Sequence, residues 1–298
     1  MIVCLGEALV DLICERRVGA FSEADSFVPH FGGALANVAV AASRAGTEAG
    51  LAGAAGEDEW GRWLRGRLEH EGVDLRFFEL LEGEQTPVAF ATFDEHGDAS
   101  FQIYGDAVEV AVASVAPRIE EAIGAASALV FGSTTLATDA ERTATLHARE
   151  LALASNVHIC FDPNIRPNRW GGDPRPAAEA SRELIAGSYL VRANREEAIA
   201  IAGIEDPRRA AEELAALGAE LAVVTLGAEG AIVRGACEAE LPAAEVEVVS
   251  TLGAGDAFMG TLLAGIAARE WDSSRAGEAL DRALAASAEA CTRWGALG

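Results

Sequence analysis

Along most of the chain, short unbroken apolar runs alternate with longer stretches in which apolar residues recur every three or four positions. Short unbroken runs suit strands buried on both faces, and the longer period suits helices that cover a sheet. The pattern predicts strands at Ile2–Gly6, Gly50–Ala55, Ala128–Gly132, Val157–Asp162, Ser188–Arg192 and Leu221–Leu226. Between them it predicts helices at Ala34–Ala45, Glu59–Glu71, Ala140–Ala154, Pro176–Ile185, Arg195–Ala202 and Arg208–Leu217. This β, α, β, α order implies an α/β fold built on a mainly parallel sheet.

Two segments break the rhythm, Asp11–Phe31 and Thr86–Tyr104, and both read as antiparallel β structure. Val88–Phe93 and Ala99–Tyr104 flank Glu95-His-Gly-Asp, two β-rich runs around a Gly-containing turn. An excursion of this kind from an α/β core suits a lid or an interface. Its apolar positions Val88, Phe90 and Thr92 lead to the expectation that two copies pair through it as a homodimer. No repeat and no Pro/Gly/Ser-rich linker divides the 298 residues, so one domain over 1–298 is expected, with a lid from about 11–31 and 86–105.

Composition narrows the partners. The chain has 23 basic and 47 acidic residues, a net charge of −24, and no lysine. Phosphate backbones and anionic lipid surfaces need clustered cations that it lacks, which argues against a nucleic-acid or membrane partner. Any catalysis must manage without a lysine base or a phosphate-binding ammonium. Cys4, Cys14, Cys160, Cys237 and Cys291 are an odd number, spread out and mostly among apolar residues, so reduced core thiols are expected. His147 with Glu150 reads as an exposed helix pair. With no basic stretch before the first apolar run, and no uncharged run of membrane-spanning length, a cytoplasmic place is expected.

The strongest chemical signal is Ser250-Thr-Leu-Gly-Ala-Gly-Asp-Ala-Phe-Met-Gly, after a predicted strand ending at Val249 and opening a helix. Gly253 and Gly255 leave backbone N–H groups free to face an anion, with the helix dipole behind them. Asp256, in the first turn, reads two ways: a helix-capping carboxylate, or a base for a hydroxyl that attacks phosphorus. A second Gly pair, Gly32-Gly33, opens another amphipathic helix. There Asn37, with Asp11 after the first strand, either caps a tight turn or binds vicinal hydroxyls.

These motifs together resemble the ribokinase-like (PfkB) family of carbohydrate kinases. The resemblance runs through Gly6-Glu-Ala-Leu-Val-Asp11, Gly32-Gly33…Asn37, Gly56-x-Asp58-x-x-Gly61, Phe161-Asp-Pro-Asn-Ile-Arg166, Ala193-Asn-Arg-Glu-Glu197, Val224-Thr-Leu-Gly-Ala-Glu-Gly230 and Gly253-Ala-Gly-Asp256. It implies a three-layer α/β/α sandwich with a small β lid, and transfer of the ATP γ-phosphate to a sugar hydroxyl. It further implies that Asp256 is the base, with the backbone of Gly253, Ala254 and Gly255 as the anion hole. Asp11, Gly32, Gly33 and Asn37 would bind the sugar, and Thr225, Gly227 and Asn194 the nucleotide. Glu197 with Asn194 would reach Mg²⁺ through water, as suits an ion that keeps several waters.

Three positions depart from the family pattern. Leu35 stands in place of a common Pro, Ser250 in place of an Asp tied to a monovalent-cation site, and Leu252 in place of a hydroxyl residue. Ser250 argues against potassium activation. Asp162-Pro-Asn-Ile-Arg-Pro-Asn-Arg-Trp170 is similar to fructokinases and 2-keto-3-deoxygluconate kinases, and Arg166 suits a phosphate or carboxylate unless it pairs with an acidic neighbour. Arg169 is expected at the surface. Gly105-Asp106 stands where both subfamilies often carry a lid Arg, so a neutral sugar is expected, fructose first. The alternatives are a 2-keto-3-deoxygluconate or riboside kinase, and a degenerate relative that binds sugar or nucleotide without turnover. A dinucleotide-dependent oxidoreductase is disfavoured, since no G-x-G-x-x-G follows the first strand.

Overall fold

A computed structural model describes residues 1–95, 97, 99–105 and 107–297. His96 and Asp98 of the predicted turn, and Asp106, lie outside the described residues. The first half of the chain runs β1 (Ile2–Leu5), β2 (Leu9–Arg17), β3 (Val28–Gly32), α1 (Ala34–Arg44), β4 (Ala49–Gly56), α2 (Glu59–His70), β5 (Phe78–Leu81), β6 (Val88–Phe93) and β7 (Ala99–Tyr104). It continues α3 (Ala107–Val110), α4 (Ile119–Gly124), β8 (Ala128–Gly132), α5 (Asp139–Ala154), β9 (His158–Asp162), α6 (Arg175–Leu184), β10 (Leu190–Asn194) and α7 (Arg195–Ala202). The last part is α8 (Pro207–Ala216), β11 (Leu221–Thr225), β12 (Ala231–Gly235), β13 (Ala239–Leu241), α9 (Ala254–Ala267) and α10 (Leu280–Ala290).

Nine strands form one sheet in the order β13-β12-β11-β10-β9-β8-β1-β4-β5, parallel except for β12 and β13. β1, β4 and β8 are buried along their whole length, as their unbroken apolar runs require. One core joins α1, α9 and α10 to the sheet through residues such as Val38, Leu262 and Leu284, and a second lies on the other face through Ile123, Ala148 and Leu214. The result is the expected three-layer α/β/α sandwich. Among the described residues no helix is long and apolar enough to cross a membrane.

A second sheet, β3-β2-β6-β7, corrects the reading of purely antiparallel excursions. Its outer pairs are antiparallel, but β2 and β6 are parallel, with Val10 opposite Val88. β2 continues from β1 and β6 from β5, and both leave the C-terminal ends of parallel strands, so they run the same way. Phe90 packs edge-on between Phe27 and Tyr104, with centroids 5.1 and 5.8 Å apart, while Thr92 is buried. The apolar face expected at Val88, Phe90 and Thr92 is therefore open only at its Phe90–Tyr104 end.

The strand predicted to end at Val249 does not form. The alternation Glu245-Val246-Glu247-Val248 is β-like, yet the segment runs beside the cavity described below. The Arg17 guanidinium donates to the Val248 carbonyl at 2.9 Å, and the Val249 N–H donates to the Cys291 carbonyl at 2.8 Å. Groups that a sheet ladder needs are spent elsewhere.

Candidate active site

α1 and α9 lie side by side so closely that a Cβ at Gly260 would strike the Val38 carbonyl. This packing brings their first turns together, and with them the two Gly-rich motifs. Gly33 (φ 101°) and Gly253 (φ 77°) hold the left-handed backbone at which each helix starts, a region that side-chain-bearing residues seldom enter. Asn37 Nδ2 donates to Asp256 Oδ2 at 2.8 Å, across 219 residues of sequence.

No side chain caps α9, so the capping reading of Asp256 is not realised. The Ala254 N–H donates to the Thr251 carbonyl at 3.3 Å. Among the described residues neither the Gly253 nor the Gly255 N–H has a protein acceptor. These two groups, backed by the helix dipole, can hold an anion.

Asp256 lies where two cavities meet. The larger, about 880 Å³, is lined by Arg192, Asn194, Glu197, Thr225 and Gly227, with Ala243, Val246 and Leu284 on its apolar side. The smaller, about 70 Å³, is lined by Glu7, Asp11, Gly33, Asn37, Thr134 and Arg169 on one side and Ala89, Ile103 and Val108 on the other. Asp256, Arg166, Asn164, Leu252 and Phe101 border both. A carboxylate in a shared wall can take a proton from a group in one cavity as that group attacks a group in the other.

Of the sugar-site positions from the sequence, Asp11, Gly33, Asn37 and Arg166 line the smaller cavity, and Gly32 lies behind Asp11. Gly32 has no side chain where one would strike the Asp11 carboxylate. Burial, with Asp256 and Glu7 nearby, pushes the Asp11 carboxyl up to about 8 against the pull of Arg166. Burial likewise raises Glu7 and Asp256 above the usual carboxylate range, Asp256 despite the Asn37 hydrogen bond. Asn37 Oδ1, Thr134 Oγ1 and Arg169 Nε are buried without protein partners. The Arg166 side chain makes one hydrogen bond among the described residues, to the Ile165 carbonyl at 3.5 Å, and no ion pair there matches the structural pairing considered for it.

Arg169 corrects the expectation of a surface residue. It bonds Glu141 at 2.7 Å, a carboxylate that is 1 % exposed and also accepts from the Thr138 N–H and hydroxyl. Glu7, Asn164, Arg169 and Arg192 line the cavities although sequence reasoning missed them, and Glu141 holds Arg169 from behind. Asn164 carried one local signal, its residue type, since Asn enters the left-handed backbone more readily than most residues, and it sits there at φ 42°. The others needed the tertiary fold.

At the larger cavity, Asn194 and Glu197 form a reciprocal cap on α7. Glu197 Oε2 accepts the Asn194 N–H at 2.9 Å and Oε1 the Ile165 N–H at 2.8 Å. Each oxygen keeps a lone pair, which suits a water-mediated contact to a cation. No cluster of three His, Cys, Asp or Glu side chains able to hold a metal occurs among the described residues. The Asn194 and Glu197 cap fits a hydrated ion brought in on phosphate oxygens.

The family model for "pfkB family carbohydrate kinase" matches residues 1–297. The chain belongs to the PfkB family. It is a carbohydrate kinase with a ribokinase-like fold. Rice fructokinase-1 is 32% identical over 310 residues, covering 100% of this chain and 93% of that protein. The aminoimidazole riboside kinase of Salmonella typhimurium is 32% identical over 296 residues, covering 98% and 89%. A double mutant of fructokinase from Vibrio cholerae O395, solved with fructose, ADP and a potassium ion bound, superposes with a TM-score of 0.85 at 27% identity, covering 99% of this chain and 93% of that one.

The departures also have explanations in the structure. Ser250 is fully buried and its hydroxyl accepts the Leu252 N–H at 3.1 Å, shaping the turn before the anion hole. Leu252 packs on the small-sheet cluster of Ile13, Ala91 and Phe93. Leu35 is buried in the main core. Gly105 sits at φ 109° with Pro87 2.9 Å from where its Cβ would be, so the backbone itself excludes an Arg there. Asp58 caps α2 and holds both the Thr86 N–H and hydroxyl, at 2.8 and 2.6 Å, where the chain enters the second sheet.

Proposed function

We propose that this chain is an ATP-dependent kinase of a neutral sugar, fructose first, with Asp256 as general base. The observation that carries the reading is the Asp256 carboxylate in the wall common to the two cavities. The sugar occupies the smaller cavity under the β2-β3-β6-β7 lid, and the nucleotide the larger, its base against Ala243, Val246 and Leu284. Asp256 takes the proton of the attacking hydroxyl. The new O–P bond forms as the bond from the γ-phosphorus to the β–γ bridging oxygen breaks, and ADP leaves with that electron pair. Gly253 and Gly255 N–H groups hold the charge on the transferred phosphoryl. Asn37 orients Asp256 and offers Oδ1 to a substrate hydroxyl. Glu197 and Asn194 would reach Mg²⁺ through water, and the ion would supply charge neutralisation to the phosphates.

Glu7, Asp11 and Asp256 share the smaller cavity with two arginines, of which Arg169 is already paired with Glu141, so Arg166 is left to meet an anionic substrate. An acidic sugar would meet carboxylates without a lid cation, which favours a neutral one. The apolar wall of Ile103, Val108 and Ala89 favours a riboside as the second reading, in keeping with the riboside kinase relative. Potassium is not required, since the Ser250 hydroxyl serves its own turn. The Phe90–Tyr104 end of the lid is where two copies would pair, and the enzyme works in the cytoplasm, where ATP is available.

ADP release from Mg-ATP across fructose, ribose, a riboside and 2-keto-3-deoxygluconate tests the reading. Fructose turning over best supports it. A strong preference for 2-keto-3-deoxygluconate overturns the neutral-sugar assignment, and silence across the panel leaves a binding protein without turnover.

A further inference from the structure

Arg192 occupies a position where the strand pattern calls for an aliphatic residue. It lies in the middle of β10, on the same face as Leu190, which belongs to the core shared with α9. It is 8 % exposed, and arginine is among the side chains least often buried. Its guanidinium stands against the first turn of α9: a Cβ at Gly255 would lie 2.7 Å from Nη1. The bare Gly255 thus lets a cation stand beside the N–H groups of the anion hole, in the wall of the larger cavity.

The contacts inside the protein do not use this cation up. Nη1 reaches the Asp162 oxygens at 3.2 and 3.4 Å, whereas charge-assisted bonds of this kind close to about 2.7–2.9 Å. Nη2 donates to Thr225 Oγ1 at 2.7 Å, and Nε is buried with no partner. The other buried pair, Arg169–Glu141, closes to 2.7 Å with two further bonds from Thr138. A loosely closed buried ion pair with an open donor stabilises a fold poorly, because desolvation offsets its attraction. Asp162 and Thr225 instead hold the guanidinium in place while leaving donors for an incoming group. In a chain without lysine, this is a buried, fixed cation beside the anion hole.

We propose that Arg192 is a phosphate-binding residue of this kinase: held by Asp162 and Thr225 against Gly255, it supplies the fixed positive charge that contacts the nucleotide's phosphates. The proposal rests on the reading of the larger cavity as the ATP site. It predicts that the gain in affinity from adenosine to AMP, ADP and Mg-ATP depends on Arg192.

The test is calorimetric binding of those four ligands to the wild type, Arg192→Met, Arg192→Lys and the double variant Asp162→Asn/Arg192→Met. A charged hydrogen bond of this kind is worth about tenfold to a hundredfold in affinity. Arg192→Met should weaken Mg-ATP and ADP by about that much and leave adenosine within about twofold. Arg192→Lys, which keeps the charge and loses the fork, should fall between. The double variant removes the charge left unpaired on Asp162, so it separates phosphate binding from fold repair. If it regains wild-type Mg-ATP affinity, Arg192 only neutralises Asp162 and the proposal is overturned. The proposal is equally overturned if Arg192→Met keeps the full gain from adenosine to ATP. A wild type that binds Mg-ATP no better than adenosine would instead refute the assignment of the cavity.

Discussion

Replacing Asp256 with Asn isolates the proton transfer from the architecture around it. Asn has nearly the same shape, and its carbonyl can accept the Asn37 Nδ2 hydrogen that Asp256 Oδ2 accepts at 2.8 Å. The packing of α1 on α9 is untouched, because Asp256 does not cap its own helix. Removing the charge sacrifices its favourable place at a helix N-terminus, about 0.3–1 kcal/mol. It also relieves repulsion with Asp11, whose carboxyl Asp256 helps to raise. These terms oppose each other, so stability should change by less than about 1 kcal/mol, read by urea denaturation. General-base catalysis contributes about 10²–10⁴ in rate, which is about 2.7–5.4 kcal/mol of barrier. The kcat for ADP release with the best sugar should therefore fall by that factor. Mg-ATP affinity should hold or rise, since a negative charge beside the anion hole is gone. A kcat within tenfold of wild type, in a variant that still binds ATP and sugar, would refute the assignment of Asp256 as the base.

Other outcomes follow from the same geometry. With its carboxyl pushed up to about 8, Asp11 keeps a proton in the fold that the unfolded chain, titrating near pH 4, has lost. Stability from this group is thus greatest below about pH 4, falls as pH rises toward about 8, and then levels off. Asp11→Asn should flatten the curve by up to about 1.4 kcal/mol per pH unit within that window, and an unchanged slope in denaturation series would contradict the buried site. Arg17 spans the Asp94, Glu95 and Val248 carbonyls at 3.1, 3.2 and 2.9 Å. Arg17→Ala should speed native-state proteolysis around residues 94–97 and 243–248 while lowering global stability by only about 1 kcal/mol. Turnover in sodium and in potassium buffers should agree within about twofold, whereas strong potassium activation would show that Ser250 does not disable a cation site.

Much of the fold was legible because its signals are local. The apolar runs of β1, β8 and β9 mark strands buried on both faces, and the helices α1, α5 and α7 fall within a residue or so of their periodic patterns. β5 (Phe-Glu-Leu-Leu), β12 (Ala-Ile-Val-Arg-Gly) and β13 (Ala-Glu-Leu) are broken by charged residues, so no unbroken apolar run marks them. Val246 and Val248 misled for a physical reason: alternation marks a strand only where a sheet edge is free to accept it.

The sequence by itself determined which residues had the right chemistry: Gly pairs opening two helices, with Asn37 and Asp256 in or near their first turns. These are backbone and helix-end properties, set within a few residues of each other. Tertiary structure alone decided that the two helix starts meet, that Asp256 stands in a wall between two cavities, and that the parallel β2–β6 pair roofs the smaller one. It also placed Arg169 and Arg192, whose side-chain partners Glu141, Asp162 and Thr225 lie 28 to 33 residues away along the chain. Burial, charge pairing and cavity shape are sums over packed neighbours from distant parts of the chain, and no local pattern encodes them.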